Sequence, residues 1–401
     1  MPKSPFVSST TNGLSDRVYS ELVERAKARN ERVLSLHVGD TYLEPLDIAR
    51  AESMRASEHP RLYNYAPVQG EPALLDAIVT HLARVGAKSV ARDCVQVTSG
   101  ATTGLSIVAQ SILDVGDEVI LPSPYWPLIR GIVSSRGAVP VEVPFFTRDF
   151  ADTAALEASL EAAITPRTTA LYANAIHNPT GAVLPPAVLD VFERLATKHD
   201  LWLLSDEAYE ELAYVTPPAP LWSRPSLHER AIAAHSLSKS RGLAGARVGW
   251  IHGPASVMPA IRAVNTYQSY GPAKPMQLAA ARALSDTTWV AHAKALYAEA
   301  AKRTADTLGL PAPHGGTFLF FDAAPYARGA NDSRSVLEAL ADEGVILTAG
   351  RVCGRDYATW IRLCYTALPP GDVHEAALRA RRVFERISAA SRPRGGSSRQ
   401  G

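Results

Sequence analysis

Between about residues 94 and 252, short apolar runs alternate with stretches in which apolar residues recur every third or fourth position. The short runs predict strands over residues 94–98, 118–121, 139–143, 169–173, 201–205, 231–236 and 248–252. Helical periodicity fills most gaps, notably 103–113 and 187–199. Strand and helix in regular alternation predict an α/β fold: a mainly parallel, seven-stranded sheet with right-handed crossovers, covered by helices. Ligands of such sheets bind beyond the carboxyl ends of the strands.

The flanks read differently. Residues 14–29 carry Leu14, Val18, Leu22 and Ala26 between charges, an amphipathic helix, followed by an apolar run over 33–38 that ends at Gly39. Helices are predicted over 46–55 and 71–84. Beyond a long Ala-rich helix, 289–308, strands over 317–322, 345–348 and 360–365 and helices over 333–343 and 372–386 predict a smaller α+β unit. The expected division is therefore a large domain, 46–288, and a small one, 1–45 with 289–388. Residues 1–12 are polar and expected to be loose, and 389–401 are too poor in apolar residues to fold.

Composition narrows the class of partner. At 401 residues the chain is long enough for two domains, and 41 basic against 40 acidic residues leave a formal charge of +1. That balance points away from nucleic acid and membrane surfaces and towards a small molecule. Cys94, Cys353 and Cys364 lack metal-ligand spacing and suit a reducing cytoplasm, and the N-terminus has no signal-peptide pattern. No metal site is expected.

The most informative stretch is Ser236-Leu-Ser-Lys-Ser-Arg-Gly-Leu-Ala-Gly-Ala-Arg-Val-Gly-Trp250. Its lysine, Lys239, follows an apolar strand and stands between hydroxyl residues, with small residues beyond that let a ligand approach the backbone. A lysine there loses hydration, so its pKa falls and its amine becomes nucleophilic near neutral pH. Arg247, Ser236 and Ser238 supply donors for an anion. An amine beside an anion site suits a phosphorylated aldehyde, and pyridoxal 5′-phosphate is the candidate.

With its spacing, this stretch resembles the active-site lysine segment of the class I/II aminotransferases, fold-type I pyridoxal phosphate enzymes. The resemblance runs from about Val33 to Arg382 and implies roles for further motifs. Thr98-Ser-Gly-Ala-Thr102 opens a helix after a strand, either a tight turn or a phosphate cup. The family's spacing implies the cup, at Gly100, Ala101 and Thr102. In Pro122-Ser-Pro-Tyr-Trp126 the aromatics pack in the core or face a ligand, and the resemblance implies that Tyr125 stacks on the cofactor ring. Asn178, in Asn178-Pro-Thr-Gly181, would donate to the cofactor's phenolic oxygen.

Asp206, in Ser205-Asp-Glu-Ala-Tyr209, ends a buried strand and is either a helix cap or a carboxylate that needs a cation. The resemblance makes that cation the protonated ring nitrogen and makes Tyr209 a partner of the phenolic oxygen. Arg362 is the one charge in Trp360-Ile-Arg-Leu-Cys-Tyr365, suited to an internal ion pair or a bidentate grip on a carboxylate. The family places its substrate-carboxylate arginine here, with Asn178 and the backbone of Gly39 nearby. Tyr65, in Tyr63-Asn-Tyr-Ala-Pro-Val-Gln-Gly70, either packs in the core or reaches the phosphate of a neighbouring subunit. The second reading implies a homodimer with shared active sites.

The expected activity is transfer of an amino group from an α-amino acid to a 2-oxo acid in a ping-pong cycle, with Lys239 as the acid–base group. Two alternatives use the same fold: a lyase or cyclase that eliminates or replaces a β- or γ-substituent, and a regulatory ligand-binding domain. Thr102 stands where aspartate-preferring relatives can carry a lysine, so a dicarboxylic substrate is not favoured. Residues 39–45 and 349–354 also depart from the family's usual loops.

Overall fold

The computed structural model describes residues 7–12, 14–15, 22–327 and 329–391. The first elements are α1 (Val23–Arg29), β1 (Leu34–Ser35), α2 (Pro72–Gly86), β2 (Val95–Thr98), α3 (Ala101–Ile112), β3 (Glu118–Ser123), α4 (Pro127–Ser134) and β4 (Val139–Pro144). Then come α5 (Thr153–Glu161), β5 (Thr168–Ala173), α6 (Pro186–Lys198), β6 (Trp202–Asp206), β7 (Ala231–Ser236), β8 (Gly249–His252), α7 (Met258–Gln268) and α8 (Lys274–Ser285). The last part holds α9 (Thr288–Leu308), β9 (Phe318–Asp322), α10 (Arg334–Asp342), β10 (Val345–Ile346), β11 (Thr348–Ala349), β12 (Trp360–Cys364) and α11 (Pro370–Ser391).

Seven strands form one sheet in the order β2-β8-β7-β6-β5-β3-β4. All neighbours are parallel except at β8, which is antiparallel to both β2 and β7. Strands β2 and β3 are buried at every residue, as expected of a sheet covered by helices on both faces. Because only β8 is reversed, its leading end lies level with the carboxyl ends of the others, and Gly249 pairs with both Thr98 and Ser236. Segments far apart in sequence thus converge on one rim.

A second sheet, β11-β12-β9, is antiparallel, and β1 pairs in parallel with β10. One apolar cluster joins Leu34 and Leu36 to residues between Ala300 and Ile387, while the clusters against the large sheet draw on residues from Ala49 to Leu284. Among the described residues no helix is long and apolar enough to cross a membrane.

Some expected elements differ. Over 46–55 there are two 3-10 turns, Asp47–Ala49 and Ala51–Ser53, separated by an extended Arg50. Arg50 Nε donates to the Pro45 carbonyl and Ser53 Oγ to the Asp47 carbonyl, side-chain bonds that compete with a helical ladder. The predicted strand over 345–348 is split between two sheets, with Leu347 between β10 and β11. Of the helix expected over 14–29, Val23–Arg29 is present and 16–21 lie outside the described residues, as do 1–6 of the N-terminal segment. Helix α11 runs on to Ser391, five residues past its expected end at 386 and three into the tail expected not to fold, through Ala389 and Ala390, alanine being the best helix former. Residues 392–401 lie outside the described residues.

Candidate active site

A cavity at the shared rim is lined by Ser236 at the end of β7 and Lys239 just beyond it, Asp206 at the end of β6, Tyr209, and Arg247 before β8. Lys239 lies in the loop that the small residues beyond it permit. Its Nζ donates to the Gly39 carbonyl, and burial holds its pKa below the ordinary 10.5. A Cβ at Gly39 would stand 2.5 Å from Phe318 Cζ, so glycine is what allows that backbone so close.

Asp206 is 6% exposed. Tyr172 Oη donates to its Oδ2 at 2.6 Å and the Ala208 N–H to its Oδ1 at 3.1 Å. Burial raises its carboxyl above the usual aspartate range, against the pull of these two donors. Both donors are neutral, which leaves the carboxylate's charge for a cation in the cavity it lines.

Asn178 and Tyr209 are joined, Asn178 Nδ2 donating to Tyr209 Oη at 3.2 Å. Asn174, just past β5, fixes their spacing to Asp206: its Nδ2 donates to the Asp206 carbonyl at 2.6 Å and its Oδ1 accepts the Asn178 N–H at 2.8 Å. Burial pushes the Tyr209 phenol up, so it stays protonated at neutral pH.

The amino end of α3 supplies an anion cradle. Gly100, at φ +84°, precedes the helix, and Ala101 and Thr102 form its first turn in the cavity wall. Arg247 comes so close that a Cβ on Gly100 would lie 2.7 Å from Nη2. Helix dipole, free N–H groups and guanidinium therefore meet where no side chain fits. Ser238 donates its N–H to Ser236 Oγ at 3.1 Å, and both line the cavity.

Across the cavity, Arg362 projects from β12 and is 1% exposed. Its Nη1 donates to Asn178 Oδ1 and its Nη2 to the His37 carbonyl, each at 3.1 Å, and Cζ sits 4.2 Å from the Phe318 ring centroid. The guanidinium also lines the cavity, and its planar fork suits a carboxylate ligand.

Two of the singled-out residues do not line this cavity. Tyr125 does not line this cavity: its ring is buried against an adjoining one and its hydroxyl is committed to Glu142 Oε1 at 2.7 Å. Trp126, one residue on, lines the cavity, as do Tyr209 and Phe318. Tyr65 is 85% exposed, its ring centroid 5.1 Å from that of Tyr270, which rules out core packing within this chain. Residues not anticipated include Phe318, Val38 and Leu128 in the wall, and Tyr172 and Asn174 behind it. The alternation of Tyr172 with Asn174 at a strand end was the available signal. Lys274 Nζ lies 3.6 Å from Glu71 Oε1, with 18% side-chain exposure.

These groups fit pyridoxal phosphate: a dehydrated amine for its aldehyde, a buried carboxylate for its ring nitrogen and a cradle for its phosphate. The family "Aminotransferase class I and II" matches residues 31–379. An arginine–pyruvate transaminase of Pseudomonas aeruginosa is 34% identical over 356 residues, 84% of this chain and 88% of that protein. An aspartate/prephenate aminotransferase of Thermus thermophilus is 32% identical over 397 residues, 93% and 99% of the two chains. Among solved structures, the N-succinyldiaminopimelate aminotransferase of Mycobacterium tuberculosis superposes with a TM-score of 0.85 at 26% identity, covering 94% of this chain and 100% of that one. With the cavity and its converging strand ends, these likenesses establish that the chain belongs to the class I and II aminotransferases, fold-type I enzymes that use pyridoxal phosphate to transfer amino groups.

Proposed function

We propose that the donor is an α-amino acid and the acceptor a 2-oxo acid, both bound through Arg362, with Lys239 as the acid–base group. The observation that carries this reading is the placing of Lys239, Asp206 and Arg362 on one cavity, each drawn from a different strand or strand end. When bound, pyridoxal phosphate supplies the aldehyde that takes up the amino group and a ring that draws electrons from the substrate Cα. Arg362 holds the substrate carboxylate, which fixes Cα relative to Lys239. Lys239 Nζ, with its lowered pKa, removes the Cα proton as a neutral amine. Asp206 holds the ring nitrogen by its charge. Asn178 and Tyr209 hold the phenolic oxygen, and Gly100, Ala101, Thr102, Ser236, Ser238 and Arg247 hold the phosphate. Trp126 covers the ring in the role expected of Tyr125.

A homodimer belongs to this reading. Tyr63, Tyr65 and Tyr267 are 83%, 85% and 91% exposed, large aromatic surface of the kind that interfaces cover. Tyr65 then serves the phosphate of the partner's site. The separate sheets and apolar clusters support a division into 46–288 and 1–45 with 289–388. The three free cysteines support a cytoplasmic setting.

A screen of single amino acids against the holoenzyme tests the reaction. Stoichiometric conversion of bound pyridoxal to pyridoxamine phosphate by one donor is expected. Ammonia release without that conversion would assign elimination instead.

A further inference from the structure

We propose that Tyr172 is a positioning residue for the cofactor's ring nitrogen: by donating a permanent hydrogen bond to Asp206 Oδ2 it keeps that carboxylate ionised and turned towards the cavity. The inference rests on the reading of Asp206 as the ring-nitrogen partner.

Strand pairing explains how the contact arises. In the parallel pair β5·β6, Tyr172 lies opposite Leu204, and Asp206 is two residues further along the same face. A diagonal neighbour of that kind lies about 7–8 Å away between backbones, a gap that a long aromatic side chain bridges and a short one does not. The neighbouring positions on β5 are Leu171 and Ala173, so Tyr172 is the local residue with both the length and the donor. The bond it makes is 2.6 Å long, with Tyr172 2% and Asp206 6% exposed.

Tyr172 can act only as a donor here. Its phenol is buried beside a carboxylate, and both conditions oppose ionisation, so it carries its proton throughout the working range. The other titratable groups around Asp206 are Glu207 and Tyr209 on its own loop and His235 on β7. Glu207 is itself pushed up to about 8 by burial and by Glu210, which leaves it neutral at pH 7. Against burial, which favours the protonated acid, Tyr172 therefore joins the Ala208 N–H and His235 in favouring the carboxylate.

Each carboxylate oxygen also has one donor behind it, Tyr172 on Oδ2 and Ala208 N–H on Oδ1, which fixes the plane of the group. Tyr172 is not among the residues lining the cavity, so its effect on the cofactor passes through Asp206.

Tyr172→Phe removes the donor and keeps the ring. Titration of the apo protein with pyridoxal phosphate as a function of pH reads the consequence directly. As pH falls through the Asp206 pKa, affinity is lost, and in Tyr172→Phe that loss begins about one pH unit higher. In the holoenzyme kcat falls about tenfold, with the donor KM within about twofold of wild type. Replacing Tyr172 with 3,5-difluorotyrosine, a stronger donor of nearly the same shape, shifts the acid limb the other way and covers the case in which the phenylalanine variant does not fold.

Acid limbs superimposable on wild type in both variants, or an affinity loss equal at every pH, overturn the inference. Asp206→Asn separates the two levels. Wild-type turnover in that variant removes the ring-nitrogen reading and this inference with it. Lost turnover in Asp206→Asn beside wild-type profiles in the Tyr172 variants removes this inference alone.

Discussion

The two sheets meet the same cavity with different equipment. From the rim of the seven-stranded sheet come an amine, a carboxylate and an anion cradle, groups that differ in charge and that, in the proposed reading, hold different parts of one cofactor. From the three-stranded sheet come Arg362 and Phe318, a cation and the ring beneath it. The first set is placed by loops that leave parallel strands, where backbone N–H groups and small residues are available. The second is placed by side chains standing off paired strands. Asn178 links them, touching Tyr209 on one side and Arg362 on the other. The difference suggests a division of labour: the large sheet sets chemistry and cofactor retention, the small one sets substrate affinity.

The largest expected effect falls on the first side. Lys239→Ala is expected to lower kcat by about 10⁴-fold, because general acid–base catalysis of Cα proton transfer is lost. Steady-state assays and the failure of borohydride to trap the cofactor would both register it. Arg362→Ala sharpens the contrast: the donor KM rises about 100-fold, as for the loss of one partner of a buried charge pair, while cofactor affinity by dialysis stays within about twofold. Equal losses in both quantities would break the comparison. Tyr65→Phe, with its effect across the proposed subunit junction, lowers cofactor affinity about tenfold or less and leaves the donor KM unchanged.

The smallest effect is one of stability. A lysine whose folded pKa lies below its unfolded value binds fewer protons when folded, so stability is reduced at neutral pH and recovers as pH rises towards 10.5. Thermal unfolding of the apo protein should show that upward slope in wild type and its absence in Lys239→Ala.

Much of the rim could be read from the sequence because its groups stand at strand ends or within a few residues of them. Lys239 and Asn178 sit in loops and Asp206 at the end of β6, in local motifs that carry the signal, and Arg362 stands out as a lone charge in an apolar strand. What could not be read depended on register or on pairing. Tyr125 and Trp126 are adjacent aromatics, and a one-residue difference decides which ring faces the cavity. The bond from Tyr172 to Asp206 requires that β5 lie beside β6 in one particular register. The segment 46–55 has helical periodicity, yet the side chains of Arg50 and Ser53 take backbone carbonyls that a helix would have used. Periodicity therefore located the elements and left their lateral contacts open.

The most direct measurement is reduction of the reconstituted holoenzyme with borohydride, followed by peptide mass mapping. The account predicts one modified residue, Lys239, carrying the pyridoxyl group in stoichiometric yield, and none after prior incubation with an active amino donor. Modification of another lysine, or recovery of Lys239 unmodified from protein that still turns over, would contradict it.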